Sequence, residues 1–282
     1  MAALVLSQRR SSVRVRRPSF DFSNSSPRWA PTWEYAHQMN ASSAWIPYLE
    51  RFLNRVMAQA VSRLDADNPA AADLRKDVRT FIRQEANHYS IHAEFNDILP
   101  RHGFDTSPMQ ACFEAEFERL FTTKSFPFLL AYCEGFETIG PPAALVWLGE
   151  TEDLLERADP QVVGLWKWHL MEEYEHRTVC YDVFNALHGG YFMRLYGFFY
   201  QLRHLGKMSK MVNEYLMKKE WETMTADQIK ASKLRQKQVK KRVTKLILPR
   251  LLKVLSPFYS PRKSPEPRLF RTHMQKVEAG LA

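Results

Sequence analysis

The feature that most constrains this chain is a set of helical seams with ionisable residues at their centres. Apolar positions recur three and four residues apart, the spacing of one helix face, along Val78, Phe81, Glu85, His88, His92, Phe95 and Leu99. A second seam reads Val162, Trp166, His169, Glu173, His176, Cys180, Val183 and Leu187. Shorter ones read Ile46, Glu50, Leu53, Met57 and Pro127, Leu130, Glu134, Glu137. Four helices therefore aim carboxylates and imidazoles at one interior level. Buried unpaired carboxylates are costly, and neighbouring like charges raise that cost. The pattern demands compensating positive charge.

Two divalent metals supply it. Four glutamates against two dications are neutral, and imidazoles complete the coordination. One Glu from each of two helices plus Glu-x-x-His from two others is the ferritin-like di-iron or di-manganese pattern. Here the single carboxylates are Glu50 and Glu134, and the pairs are Glu85/His88 and Glu173/His176. Three-residue spacing puts each pair on one helix face. Chance gives about 0.6 Glu-x-x-His matches in a chain of this composition. Three occur, and the third, Glu34/His37, lies in a proline-rich stretch without a seam.

Glu137 rivals Glu134 on the same helix, but it lies closer to the Gly140-Pro141-Pro142 break, so Glu134 is preferred. His92 and Glu172 are alternative ligands or supports behind the ligands. His169 precedes Glu173 by one helical turn, one histidine more than the basic pattern contains.

The expected class is all-α, a ferritin-like four-helix bundle core with additional C-terminal helices. Glycine is scarce, at 10 of 282 residues, and alternating apolar–polar runs are few. Residues 1–40 form an arm, 41–220 the metal-holding bundle, and 221–282 a basic helix with a Pro/Ser-rich tail. Helices are expected at about 41–64, 68–99, 108–139 with a kink at Pro127, 143–157, 159–187 and 191–220. Three cysteines without CxxC spacing suit a reducing compartment, and the expected location is cytoplasmic. The first twenty residues carry five Arg and no acid, faintly like an organelle transit peptide. From Leu202 onward 20 Lys and Arg face 6 acids, whereas the preceding residues carry a net negative charge.

The stretches FIRQEANHYSIHAEFNDIL (81–99) and WKWHLMEEYEHRTVCYDVF (166–184) resemble the bacterial family of predicted metal-dependent hydrolases. VRRPSFDFS near the start and LSPFYSP near the end fit the same family, so the resemblance runs from about residue 13 to 262. It implies a ferritin-like bundle. The His-xxx-Glu-xx-His arrangement is also similar to that of di-iron arylamine N-oxygenases, whose added histidine gives a four-Glu, three-His site. That resemblance implies Glu85 and Glu173 as bridging carboxylates, Glu50 and Glu134 as terminal ones, and His88, His169 and His176 as nitrogen ligands.

The leading expectation is O2-dependent oxidation of a small organic substrate at two iron ions. Electrons would come from an external donor, because no flavin or nicotinamide motif is present. The alternative is hydrolysis by a metal-bound hydroxide, with Mn or Zn in place of Fe. A third reading is a non-catalytic metal-binding bundle whose basic tail makes weak contact with an acidic membrane surface. Sparse aromatics in the basic segment argue against nucleic acid.

Overall fold

A computed structural model describes residues 13–279 apart from 66 and 269. The likeness of the first residues to a transit peptide thus falls largely outside the described chain. Among the described residues every regular element is helical, as the seams predict, and no helix is long and apolar enough to cross a membrane.

Helices α1 (Trp33–Ser43), α2 (Ile46–Arg63) and α3 (Pro69–Asn96) come first. A one-turn helix, Ile98–Arg101, precedes α4 (Ser107–Thr123), α5 (Phe126–Glu137) and the short α6 (Gly140–Leu145). A π-helical turn, Val146–Glu150, follows, then α7 (Pro160–His176), α8 (Val179–Leu187) and the long α9 (Tyr191–Trp221). The basic α10 (Ala226–Leu251) and α11 (Phe270–Glu278) complete the order.

The helix starts carry their own local causes. Proline occupies the first turn of α2, α4, α5, α6 and α7, where its missing N–H is one that a helix leaves unpaired anyway. Pro127 therefore starts α5, and the expected kink is a break at Lys124-Ser125. Gly140-Pro141-Pro142 likewise opens α6. Asp159 caps α7 by accepting from the Gln161 N–H at 2.9 Å. Thr225 and Gln228 form a reciprocal capping box on α10. Gly189 and Gly190, at φ +69° and +104°, make the turn from α8 into α9, where a side chain would be strained.

Other expected helices are divided as well. The stretch 41–64 splits at Ala44-Trp45, and its first part extends back to Trp33, inside the expected arm. The stretch 159–187 breaks at Arg177-Thr178.

Helix α2 packs along α3, α5 along α9, and α6 along α7. The apolar faces of α2 (Leu49, Leu53, Val56, Met57) and α3 (Leu74, Val78, Phe81) are sealed in the core. Residues 13–22 lie over α3 and α7. There Phe20 meets Trp168 and Gly164, Phe22 meets Phe95, and Arg16 bonds Glu175 at 2.9 Å. Basic α10 is held by Arg235 to Glu34, Arg242 to Asp153 and Arg250 to Glu150. Beyond it, Arg262 grips the buried Asp182 of α8 with two bonds of 2.8 and 2.7 Å.

Candidate metal centre

Four helices converge on one buried layer of donors. Helix α2 brings Glu50, α3 brings Glu85 and His88, α5 brings Glu137, and α7 brings His169, Glu173 and His176. They form two groups, Glu50/His88/His169/Glu173 and Glu85/Glu137/Glu173/His176, and the donor atoms within each lie inside 4.8 Å of one another. Glu173 belongs to both.

The distances follow that division. Glu173 Oε1 lies 3.4 Å from His169 Nε2, 3.5 Å from His176 Nε2 and 3.9 Å from His88 Nδ1. Glu85 Oε1 also reaches both sides, 3.3 Å from His176 Nε2 and 3.6 Å from His88 Nδ1. Glu50 Oε1 lies 3.8 Å from His169 Nε2, and Glu137 Oε2 lies 3.1 Å from His176 Nε2.

Glu134, the expected ligand, is in neither donor group, and Glu137 is the residue of α5 that the structure brings to them. Three residues apart, the two project only about 60° apart around α5. The exit of the helix decides between them. Glu137 is the last residue of α5, beside the turn at Gly140. Gly140 faces Glu173 so closely that a Cβ would stand 2.8 Å from Glu173 Oε2 and 3.0 Å from Glu173 Cβ. The Gly-Pro-Pro stretch is therefore part of the site's wall. Glu134, one turn earlier, accepts from Thr138 Oγ1 at 3.1 Å and feels Arg194. Burial lifts its carboxyl to about 7, against the pull of Arg194 and Thr138.

Each histidine is fixed by the nitrogen that faces away from the centre. His88 Nε2 donates to Glu172 Oε2 at 3.1 Å, and His176 Nδ1 donates to Gln84 Oε1 at 3.1 Å. His169 Nδ1 pairs with His92 Nε2 at 2.9 Å, and His92 Nδ1 pairs with Ser43 Oγ at 2.8 Å. Ser43 donates onward to Asn96 Oδ1 at 2.6 Å. One direction of proton donation satisfies this whole chain, and it leaves His169 Nε2 free to donate its lone pair inward. Such outward partners orient ligands and raise their basicity. Arg16 completes the support, bonding both Glu175 and Glu172, while Gln84 Nε2 donates to Glu175 at 2.9 Å. His92 and Glu172 thus stand behind the inner donors. Gln84, Ser43, Asn96 and Arg16 were not singled out from sequence, because their partners lie across helices.

Glu34 and His37, the third Glu-x-x-His pair, are buried on α1 away from these groups. Glu34 pairs with Arg235, and His37 bonds Glu220, which Arg28 also holds.

Burial and neighbouring charge shift the ionisation of these groups. Burial pushes Glu50 well above the ordinary carboxylate value, with Glu85 and Glu173 adding repulsion. Glu137 is pushed up to about 8 by burial and Glu173. Burial opposes charge on His88, yet Glu85 and Glu172 lift it to about 9. Burial likewise opposes charge on His176, but Glu137 and Glu173 raise it well above its usual value. Burial would raise Glu173 as well, but His176 and His169 hold its carboxyl below the usual range. Crowded buried carboxylates of this kind favour positive charge bound among them.

The donors fit metal ions on a second, independent ground. Both carboxylate oxygens of Glu50, Glu85, Glu137 and Glu173 are buried without a hydrogen-bond partner, as are His88 Nδ1 and His176 Nε2. Buried polar atoms are rarely left so. These orphans all point into one layer, while the outward nitrogens of the same imidazoles are paired. Oxygen and imidazole donors suit divalent first-row metals.

The molecule is therefore an all-α helical bundle with a buried multi-residue metal-binding centre. A family model described as predicted metal-dependent hydrolase matches residues 14–264, and the chain belongs to that family. No curated protein and no solved structure matches the chain.

Proposed function

We propose that the protein is a hydrolase that holds two divalent cations, one in each donor group, with Glu173 shared between them. The observation that carries this reading is the layer of orphaned carboxylate oxygens, read with the family description. It takes the place of iron-dependent oxidation as the leading reading, because the family description supports hydrolysis.

The four carboxylates offset the charge of two dications, and the three imidazoles complete the donor set without adding charge. Two bound ions would supply Lewis acidity toward a carbonyl or phosphoryl oxygen and bring the deprotonation of water near neutral pH. The chain's own contribution is orientation. Gln84, Glu172 and His92 fix the three imidazoles, and Gly140 leaves room for Glu173. The aromatic shell of Phe81, Trp166 and Trp168 against the histidines keeps the layer dry.

Elemental mass spectrometry of the purified protein, followed by turnover of an ester and amide panel under argon, tests this. Two equivalents of metal and anaerobic hydrolysis are expected, and Glu85→Ala or His176→Ala should lose both together. A metal-loaded protein that cleaves nothing would refute the reading.

A second reading, O2-dependent oxidation with iron and an external electron donor, draws support from the third imidazole. His169 Nε2 lies 3.4 Å from Glu173, which gives the four-Glu, three-His composition of a di-iron oxygenase site. Substrate-dependent O2 uptake by the iron-loaded protein would favour it over hydrolysis.

A further inference from the structure

The donors of the centre are sealed, with Glu50, Glu85, His88 and His176 at 0% exposure, so a substrate must reach them through a wall. The turn from Thr138 to Pro142 is such a wall. On its inner side Gly140 abuts Glu173, and Thr138 directly follows Glu137. On its outer side Thr138, Pro142 and Leu145 line a cavity of about 260 Å³. Val254, Phe258 and Tyr259 of the segment after α10 line it as well.

The lining has a definite chemistry. Arg250, Lys253 and Lys263 are its charged residues, and among the described residues no carboxylate lines it. Arg250 is bonded to Glu150 at 2.5 Å, while Lys263 donates to a backbone carbonyl. Positive charge is therefore in excess beside an apolar floor. A polar line leads inward, from Tyr259 OH to Thr138 Oγ1 at 3.3 Å and from Thr138 Oγ1 to Glu134 at 3.1 Å. The π-helical turn Val146–Glu150 directly follows α6, and such turns recur at functional sites. The volume lies below the ~300–1,000 Å³ of drug-sized pockets, which suits a small ligand.

We propose that this cavity binds a small, partly apolar anion and is where the substrate of the metal centre docks. The anionic group pairs with Lys253 and Lys263, the apolar part lies on Pro142, Leu145 and Phe258, and the reacting end faces the Thr138 wall. The assignment of a substrate role rests on the hydrolase reading, whereas binding of an anion does not.

Calorimetric titration of the full-length, metal-loaded protein with octanoate, and with 1-octanol as its uncharged counterpart, tests the site. Saturable one-to-one binding of octanoate is expected, with 1-octanol at least tenfold weaker. The exposed double variant K253E/K263E should weaken octanoate at least tenfold, and L145W, which fills the cavity, should abolish binding. Thermal unfolding and metal content, measured in parallel, should stay at wild-type values for both variants. No saturable binding to the wild type, equal affinity for 1-octanol, or unchanged affinity in K253E/K263E would each overturn the proposal. Octanoate binding by a metal-loaded protein that hydrolyses no ester would sink the hydrolase reading and leave the anion site standing.

Discussion

Replacing Gly140 by alanine tests the geometry of the centre through a single methyl group. The added Cβ would lie 2.8 Å from Glu173 Oε2, whereas ordinary contact begins near 3.4 Å. Glu173 must then retreat by about 0.6 Å, beyond the ~0.5 Å tolerance within which a working site is held. Overpacking of this kind costs about 1–3 kcal/mol. If Glu173 is shared by two ions, that cost falls on metal binding, a loss of about 10–100-fold in affinity. Both ions should weaken together. The assay is a chelator competition titration on wild type and Gly140→Ala, with a melting curve of the stripped proteins as a folding control. Gly206→Ala is the reference substitution, since among the described residues nothing stands within 4 Å of its Cβ at an exposed position of α9. It should leave metal affinity unchanged and stabilise the fold by about 0.5–1 kcal/mol. Unaltered metal affinity in Gly140→Ala would refute the argument, as would weakening of one ion alone.

Four further outcomes follow from the same geometry. Glu137→Ala should lose at least one metal equivalent by mass spectrometry while Glu134→Ala keeps both, and the opposite result would restore Glu134 as the ligand. His92→Ala strips the partner from His169 Nδ1 and should weaken metal binding about 10–100-fold without reducing the stoichiometry at saturation; unchanged affinity would deny His92 its supporting role. Metal affinity of the stripped protein should climb with pH, because Glu137, raised to about 8, and His88, raised to about 9, must shed protons before they can ligate. A flat titration between about pH 6 and 9 would contradict this. The sign for folding is opposite. A carboxyl whose folded pKa lies above its unfolded value gives stability that is present below the unfolded pKa and lost as pH rises through the folded one. The metal-free fold should therefore weaken through about pH 8, where Glu137 ionises.

Much of the centre was legible because it obeys helix periodicity. Glu85/His88 and Glu173/His176 sit mid-seam on long helices, and six of the seven expected donors lie in the two groups. Periodicity could not separate Glu134 from Glu137, since both occupy nearly the same face of α5. The end of that helix and the approach of Gly140 to Glu173 separate them, and both belong to tertiary structure. The same limit explains α1. Its polar residues Glu34 and His37 are buried by partners 201 and 183 residues away, so a proline-rich stretch read as an arm contains a packed helix. Arg16 is similar, its partners Glu172 and Glu175 lying on α7. Local signals did mark the Gly189-Gly190 turn, where backbone chemistry acts within a few residues, whereas α3 ends at Asn96, short of the expected Leu99.

Anomalous diffraction from crystals of the metal-loaded protein tests the central claim most directly. Two peaks are expected, one within Glu50, His88, His169 and Glu173, the other within Glu85, Glu137, Glu173 and His176. No peak in this layer, or a single ion held by Glu134, would contradict the account.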